Sequence, residues 1–506
     1  MEEELGSVVA YSIAISACSK SAEWERGIAL LCGLEMALLQ ADVVAYSAAI
    51  NVCEKARKWQ QALQVLRVSL QKSVRPNIVA CGAAISACAC TGKWIEALML
   101  LHDMPGWRVQ PNIIAFNSAI NACDKAMEWR HALLLLDEAH TQTIQLDMIS
   151  FNATTSACGR ASAWQQAICV LDAVESHELQ PSLITFNASI SAFEKAAQWQ
   201  RSLMLLSEVE ARKLQLNIIT YTSALSSCEK ASEWEQAMQL FCAMCSKSLE
   251  PNVITYGAAI SACEKSGQSF KAVHLLEQAQ DTFIRPDVVM YNAAISACEK
   301  SADWQAALAL LCRTESARVQ TNVITFNASI SACEKASQWQ LALSLMSVLV
   351  IRRMQADVVS YSSSISACQK GSEWQLACVL LAAAGTAHVP RQEMTHNAAV
   401  SACDRSWTRA LMLVSFFPVC RLRPNVITVT ATIATLETSN WSDALYLNRH
   451  CWTLQMSPNS FTYTSSSSIC EKAGRWQEAL ELLHCGEQLQ HVIAFNSVIG
   501  ACQKAP

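Results

Sequence analysis

Val323-Ile-Thr-Phe-Asn-Ala-Ser-Ile-Ser-Ala-Cys-Glu-Lys-Ala-Ser-Gln-Trp339-Gln-Leu-Ala-Leu-Ser-Leu345, continued to Asp357, is the stretch that decides how the chain folds. Shifted by 35 residues in either direction, the sequence nearly matches itself. Phe326-Asn327 meets Tyr291-Asn292 on one side and Tyr361-Ser362 on the other. Cys333-Glu334-Lys335 meets Cys298-Glu299-Lys300 and Cys368-Gln369-Lys370, and Trp339 meets Trp304 and Trp374. Self-similarity at a fixed period of this length marks a stack of small folding units, each burying its apolar face on its neighbours.

Outward from that stretch, eleven repeats of 35 residues tile 8–392 without a gap. Three irregular repeats follow at 393–425, 426–459 and 460–491, and an incomplete one occupies 492–506. Residues 1–7 are a short N-terminal remnant. Each repeat reads as two helices. In the one at Val323, Phe326, Ile330 and Cys333 fall at i, i+4 and i+7, an amphipathic stripe. A second helix opens near Trp339 and carries Ala342, Leu343, Leu345 and Met346 after the polar turn Ala336-Ser337-Gln338. The repeat closes in a loop that often holds proline, as in Arg75-Pro76-Asn77 and Glu250-Pro251-Asn252, where proline stops the preceding helix. The deletions in 393–491 fall in the turns or the second helices. The pattern predicts an all-α fold, a right-handed superhelical α-solenoid of tandem helix-turn-helix repeats with first helices on the concave face. It also predicts heavy burial of Trp59, Trp234 and Trp339 and of Cys53, Cys228 and Cys333.

Composition narrows the class. A net charge of −5 excludes a bulk-basic nucleic-acid coat while leaving room for a local basic stripe. No apolar run approaches the ~18 residues of a membrane span, so no membrane partner is expected. Thirteen of the 24 cysteines, from Cys18 and Cys53 through Cys470 to Cys502, share one repeat position. That is the use of Cys as a small buried hydrophobe, and it implies a reducing compartment. Cys242-x-x-Cys245 is a lone pair on a predicted helix and reads as packing. The N-terminal Met1-Glu-Glu-Glu-Leu-Gly-Ser is neither a signal peptide nor a transit peptide. Targeting therefore lies upstream, or the protein stays in the cytosol. No GxxxxGK[ST], GxGxxG or HExxH occurs, and no Ser/His/Asp or paired-carboxylate set stands out. No catalytic residue, metal, cofactor or small-molecule substrate is expected.

A 35-residue helix pair that opens Val-Ile-Thr-Tyr/Phe-Asn and closes Pro-Asn or Pro-Asp resembles the pentatricopeptide repeat, across nearly all of 8–506. The tetratricopeptide repeat has a 34-residue period and a W-x₂-L-G-x₂-Y pattern that is absent here. Uniform spacing resembles the family's plain class rather than its editing class, and the H-x-E and P-C-x-x-C signature of zinc deaminases is missing. The resemblance implies a non-enzymatic protein that binds single-stranded RNA, one base per repeat. It also implies work by occupancy on organellar transcripts, in plastid (slightly favoured) or mitochondrion. A protein-binding scaffold, or the RNA-binding part of a longer processing enzyme, are the alternatives.

By that resemblance the base readers are the fifth and last residues of each repeat. A terminal Asp accepts from the ring N–H of uracil or guanine, while Asn can donate to the bare ring nitrogen of cytosine or adenine. In the family a fifth-position Asn goes with pyrimidines and Ser or Thr with purines. Ser12 with Asp42 then implies G, and Ser47 with Asn77 implies A. Asn117 with Asp147, and Asn327 with Asp357, imply U. Asn152 with Ser182, Asn187 with Asn217, Asn292 with Asn322 and Asn397 with Asn425 each imply a pyrimidine. Thr222 with Asn252, and Thr430 with Asn459, imply A. Gly82 with Asn112, Gly257 with Asp287, Ser362 with Gln392 and Thr464 with His491 stay open. The implied target is G-A-n-U-Y-Y-A-n-Y-U-n-Y-A-n, its 5′ end on the first repeat. The second residue of each repeat, as in Val44, Ile114, Ile184, Ile254, Ile324 and Val359, wedges between bases in the family; alone it would pass for core. Two residues after the Cys position stand Lys20, Lys55, Lys125, Arg160, Lys195, Lys230, Lys265, Lys300, Lys335, Lys370, Arg405 and Lys472. A cation there complements a helix C-terminus, and one per repeat would also form a ladder for phosphates.

Overall fold

The computed structural model describes residues 2–21, 23–37, 39–177, 179–387, 389–390, 392–403, 407–415, 425–436, 441–453, 459–485 and 492–503. Among them are twenty-nine α-helices, a short 3-10 turn at Pro105–Trp107 and no strand. The fold is the all-α solenoid of helix pairs that the periodicity predicts. No helix among the described residues is long and apolar enough to cross a membrane. The chain forms two compact halves, Met1–Ala262 and Cys263–Pro506.

Within each half the first helix of a repeat packs beside the first helix of the next, and the second helix packs on both. First helices begin at the repeat's own first residue, as in Val43–Lys55, Ile78–Thr91, Val288–Lys300 and Val323–Lys335. The cause is the residue before. The Asn77 and Asp357 side chains, for example, accept the N–H of the residue three further on, at 2.8 and 2.9 Å. Each such N-cap satisfies an orphan amide and contributes about 1 kcal/mol. The same helix ends when Ser337 turns left-handed (φ 59°), letting Gln338 N–H reach back to the Cys333 carbonyl at 2.8 Å. Trp339 then starts the second helix, Trp339–Ile351.

Burial follows the predicted stripe. Phe326, Ile330 and Cys333 are fully buried, as are Cys53 and Cys228. Desolvation pushes the Cys333 thiol up to about 11, which makes it an inert hydrophobe rather than a nucleophile. Five expectations are corrected. The tryptophans are half-buried, because each indole lies along the rim of the core and is covered there by the next repeat. Lys58 stands over Trp24, Lys93 over Trp59 and Arg201 over Trp164, with the cation 5.5, 5.4 and 4.2 Å from the ring centroid. Cys242 and Cys245 are exposed, since their helix buries Ala237, Leu240, Phe241 and Met244 and turns the thiols outward. Cys18 is only half-buried and Cys502 is exposed, unlike the cysteines at that position between them. In two of the irregular repeats the first helix is shortened too, Glu393–Ala402 to 10 residues and Val426–Ala434 to 9. The opening helix spans Glu2–Ser21, so residues 2–7 continue the first repeat's helix.

Candidate nucleic-acid interface

Because the last residue of one repeat caps the first helix of the next, it stands beside its own repeat's fifth residue, thirty positions back in sequence. Asn117 donates its amide to both Asp147 oxygens at 3.1 and 3.3 Å, and Asn327 to both Asp357 oxygens at 3.0 and 3.1 Å. Asn292 reaches Asn322 at 3.5 Å, Asn397 reaches Asn425 at 3.3 Å, and Ser47 reaches Asn77 at 3.1 Å. Five of the candidate pairs are thus joined directly by side-chain hydrogen bonds.

In other pairs the contact runs through a third side chain that the sequence reading passed over. This is the third residue of the following repeat. Thr185 donates to Asn152 at 2.6 Å and lies 3.1 Å from the Ser182 hydroxyl. Thr220 lies 2.6 Å from Asn187 and 2.8 Å from Asn217. Hydroxyls at the fifth position bond back into their own helix, Ser47 as well as reaching Asn77: Ser12 to the Val8 carbonyl at 2.9 Å, Ser47 to Val43 at 2.5 Å, Thr222 to Ile218 at 2.6 Å, and Thr430 to Val426. Their partners Asp42 and Asn252 cap at 2.8 and 2.9 Å, and Asn459 at 2.9 Å. Gln392 makes no side-chain cap bond, and His491 lies outside the described residues.

Desolvation acts to raise the Asp147 carboxyl. Hydrogen bonds from the Ser150 N–H and the Asn117 amide outweigh it and hold the group below its usual range. Asp357 is lowered in the same way, through Ser360 and Asn327. The stability these two groups confer is therefore complete at neutral pH, and it disappears as pH falls from about the ordinary 3.8 through the lowered values. An Asp147→Asn, Asp357→Asn variant is expected to lose stability less steeply in that acid range, read as urea midpoint against pH.

The second-position residues are not core. All fourteen, including Val44, Ile114, Ile184, Ile254, Ile324 and Val359, are exposed, from 50% at Val359 to 77% at Met394. They lie three positions before the fifth residue, hence on the same helix face. Most repeats so present one bare apolar side chain, aliphatic except at Phe461, beside one polar pair.

The basic ladder is largely occupied. Lys230 pairs with Glu194 at 2.9 Å, Lys300 with Glu264 at 3.2 Å, Lys335 with Glu299 at 3.0 Å and Lys370 with Glu334 at 3.1 Å. Arg160 lies 3.4 Å from Asp124. In each case the acid stands 36 residues upstream in the preceding repeat, a spacing legible in the recurring Cys-Glu-Lys. Where that place holds Gly159, Lys195 turns to the Arg160 carbonyl at 3.0 Å. Where it holds Ser19 or Ala89, Lys55 and Lys125 form no ion pair among the described residues, and neither do Lys20 and Lys472. Lys265 has a partner of its own. Arg405 lies outside the described residues. Among the described residues no group of His, Cys, Asp and Glu could hold a metal ion.

Comparison with known proteins gives the same architecture. The pentatricopeptide repeat domain pattern matches residues 68–126, 134–195, 204–266 and 274–336, and the single-repeat pattern matches 254–281. No curated protein sequence matches the chain. The crystal structure of the pentatricopeptide repeat protein PPR10 from maize superposes with TM-score 0.56 at 18% identity, covering 98% of this chain and 81% of that one. PPR10 in complex with an 18-nt psaJ RNA element gives TM-score 0.52 at 20% identity, with coverage of 98% and 72%.

Proposed function

The chain belongs to the pentatricopeptide repeat family, and from that we propose that it is a sequence-specific single-stranded RNA-binding protein, taking one base per repeat. The observation that carries the reading is the row of exposed second-position aliphatics beside the polar pairs. Folding gains nothing from leaving Ile or Val bare on a helix face once per repeat. Flat apolar base faces are what such side chains would cover, while the neighbouring pair meets the base edge. The similar fold of PPR10, solved with an RNA element, supports the reading.

Capping alone does not account for the pairs. Asp and Asn cap about equally, so capping would not select between Asp357 and Asn322. The fifth residue lies inside the helix, where Asn and Gly are poor formers. At Gly82 an added methyl group would meet nothing within 4 Å, so packing does not demand the glycine.

The residues from Ser12 and Asp42 through Thr430 and Asn459 are assigned as readers, and the target as G-A-n-U-Y-Y-A-n-Y-U-n-Y-A-n. The protein would act by occupancy, shielding an organellar transcript in plastid or mitochondrion or holding it unpaired. The ladder supplies phosphate contacts unequally, since a paired lysine must give up its glutamate to reach RNA. Lys55→Ala with Lys125→Ala is expected to reduce the salt slope of binding by about 1 per residue. Lys300→Ala with Lys335→Ala is expected to change it less. A slope unchanged from wild type in both double variants would remove the ladder from the interface, and equal reductions would show that pairing with glutamate does not hold the lysines back.

The test of the reading is retention of the 506-residue chain on the fourteen-nucleotide target, against a scrambled RNA of equal composition. Tighter binding to the target is expected at both low and high salt. Equal binding to both RNAs would defeat base reading, and no RNA binding at all would favour a peptide-gripping scaffold.

A further inference from the structure

We propose that the Ser or Thr at the third position of a repeat is a positioning residue for base recognition by the preceding repeat. It fixes which end of the fifth-position Asn amide is offered to RNA. The proposal rests on the base-reading assignment above. In all six full repeats with Asn at the fifth position, this hydroxyl donates to the Asn carbonyl oxygen at 2.5–2.7 Å, from Ser150 to Asn117 through Thr428 to Asn397. The six hydroxyl residues are buried to 1% exposure or less, so water cannot replace them.

An Asn side chain is nearly symmetric in shape and can present either its oxygen or its NH₂ outward. A hydroxyl has one proton to give. In the Asn292 repeat two acceptors compete for the Thr325 proton, the Asn292 oxygen at 2.6 Å and the Asn322 oxygen at 2.9 Å. The nearer one takes it. That ties the Asn292 oxygen inward and leaves the NH₂ to face Asn322. The Asn then offers a donor, suited to the carbonyl oxygens on a pyrimidine edge.

Every full repeat with Asn at its fifth position is followed by this hydroxyl, whereas the other eight are followed by it only after Thr222, Ser362 and Thr430. Thr395 and Thr462 there bond to the cap residues Gln392 and Asn459. After Ser12, Ser47, Gly82 and Gly257 the same place holds Ala45, Ala80, Ala115 and Met290, although Asp42, Asn77, Asn112 and Asp287 still cap their helices. Where the fifth residue is Thr222, Thr255 turns to the terminal Asn252 at 2.7 Å and stands 3.4 Å from Thr222.

The experiment measures affinity of the full chain for four RNAs that differ only at the ninth nucleotide, the one assigned to Asn292 and Asn322. Wild type should prefer a pyrimidine there. Thr325→Val keeps the shape and removes the proton. It should cut that preference roughly tenfold, the effect of one lost hydrogen bond, and Thr325→Ser should restore it. Ser360→Ala should weaken the tenth-nucleotide preference less, because the two Asp357 contacts also orient the Asn327 amide. An unchanged ninth-nucleotide preference in Thr325→Val, or an equal loss for all four RNAs, would overturn the proposal and leave base reading standing. A wild type that ranks the four RNAs alike would overturn base reading itself.

Discussion

Asn327→Thr is expected to turn the preference at the tenth nucleotide from U toward G. Uracil and guanine both offer a ring N–H, so Asp357 can accept from either. The carboxylate stays in place after the substitution because the Ser360 N–H holds it at 2.9 Å independently of Asn327. What changes is the floor of the site. The new hydroxyl has a ready acceptor in its own helix, as Ser47 has in the Val43 carbonyl at 2.5 Å and Thr222 in the Ile218 carbonyl. It withdraws the amide from the base and leaves room for a purine. The discrimination between right and wrong base should be about 1–3 kcal/mol. Asn327 is only 8% exposed and bonds to both Asp357 and Ser360, so stability should fall by roughly 1 kcal/mol rather than stay constant. The measurement is affinity for four RNAs differing at the tenth nucleotide, before and after the change, with urea unfolding as the control. The same ranking from both proteins would show that this pair does not read that base.

The parts of this molecule that depend on one repeat's own sequence were legible in it. Helix starts at Val43, Val288 and Val323, the buried Phe326–Ile330–Cys333 stripe and the cap residues all follow from local pattern. What the pattern hid lies between repeats. Ile324 and Ile330 are equally aliphatic and both fit an amphipathic helix, yet one is 63% exposed and the other fully buried. Only the position of the next helix tells them apart. The Lys335–Glu299 pair and the Thr325–Asn292 bond join residues 36 and 33 apart. Both spacings are one period plus or minus a short step, so they emerge only when neighbouring repeats are laid side by side. Trp339 misled for a related reason: its size suggests full burial, but its place at the head of the second helix sets it on the rim.

Replacing Ile184, Ile254 and Ile324 together by Ala is expected to weaken RNA binding by about two orders of magnitude while leaving the fold untouched. These side chains are 67%, 67% and 63% exposed in the unbound protein, so truncation removes little that folding uses. Exposed substitutions of this kind change stability by less than about 0.5 kcal/mol. Phe326, two residues beyond Ile324, is the contrast, because it is fully buried and its truncation to Ala should cost about 3–5 kcal/mol of stability. If each isoleucine covers a base, the lost methyl and methylene groups, partly buried in the complex, remove about 1 kcal/mol apiece at ~0.8 kcal/mol per group. Three such losses come to about 3 kcal/mol, and each ~1.4 kcal/mol is tenfold in affinity. The salt slope should stay constant, since no charge has changed. Base preference at the Asn327 and Asp357 repeat should weaken as well, because a base no longer wedged can tilt away from its readers. Thermal unfolding, matched-RNA affinity and salt slope together separate this outcome from a ladder defect, in which the slope moves, and from a folding defect, in which the melt moves. Wild-type affinity in the triple variant would mean that the exposed row does not touch the bases, and the observation carrying the RNA reading would be lost.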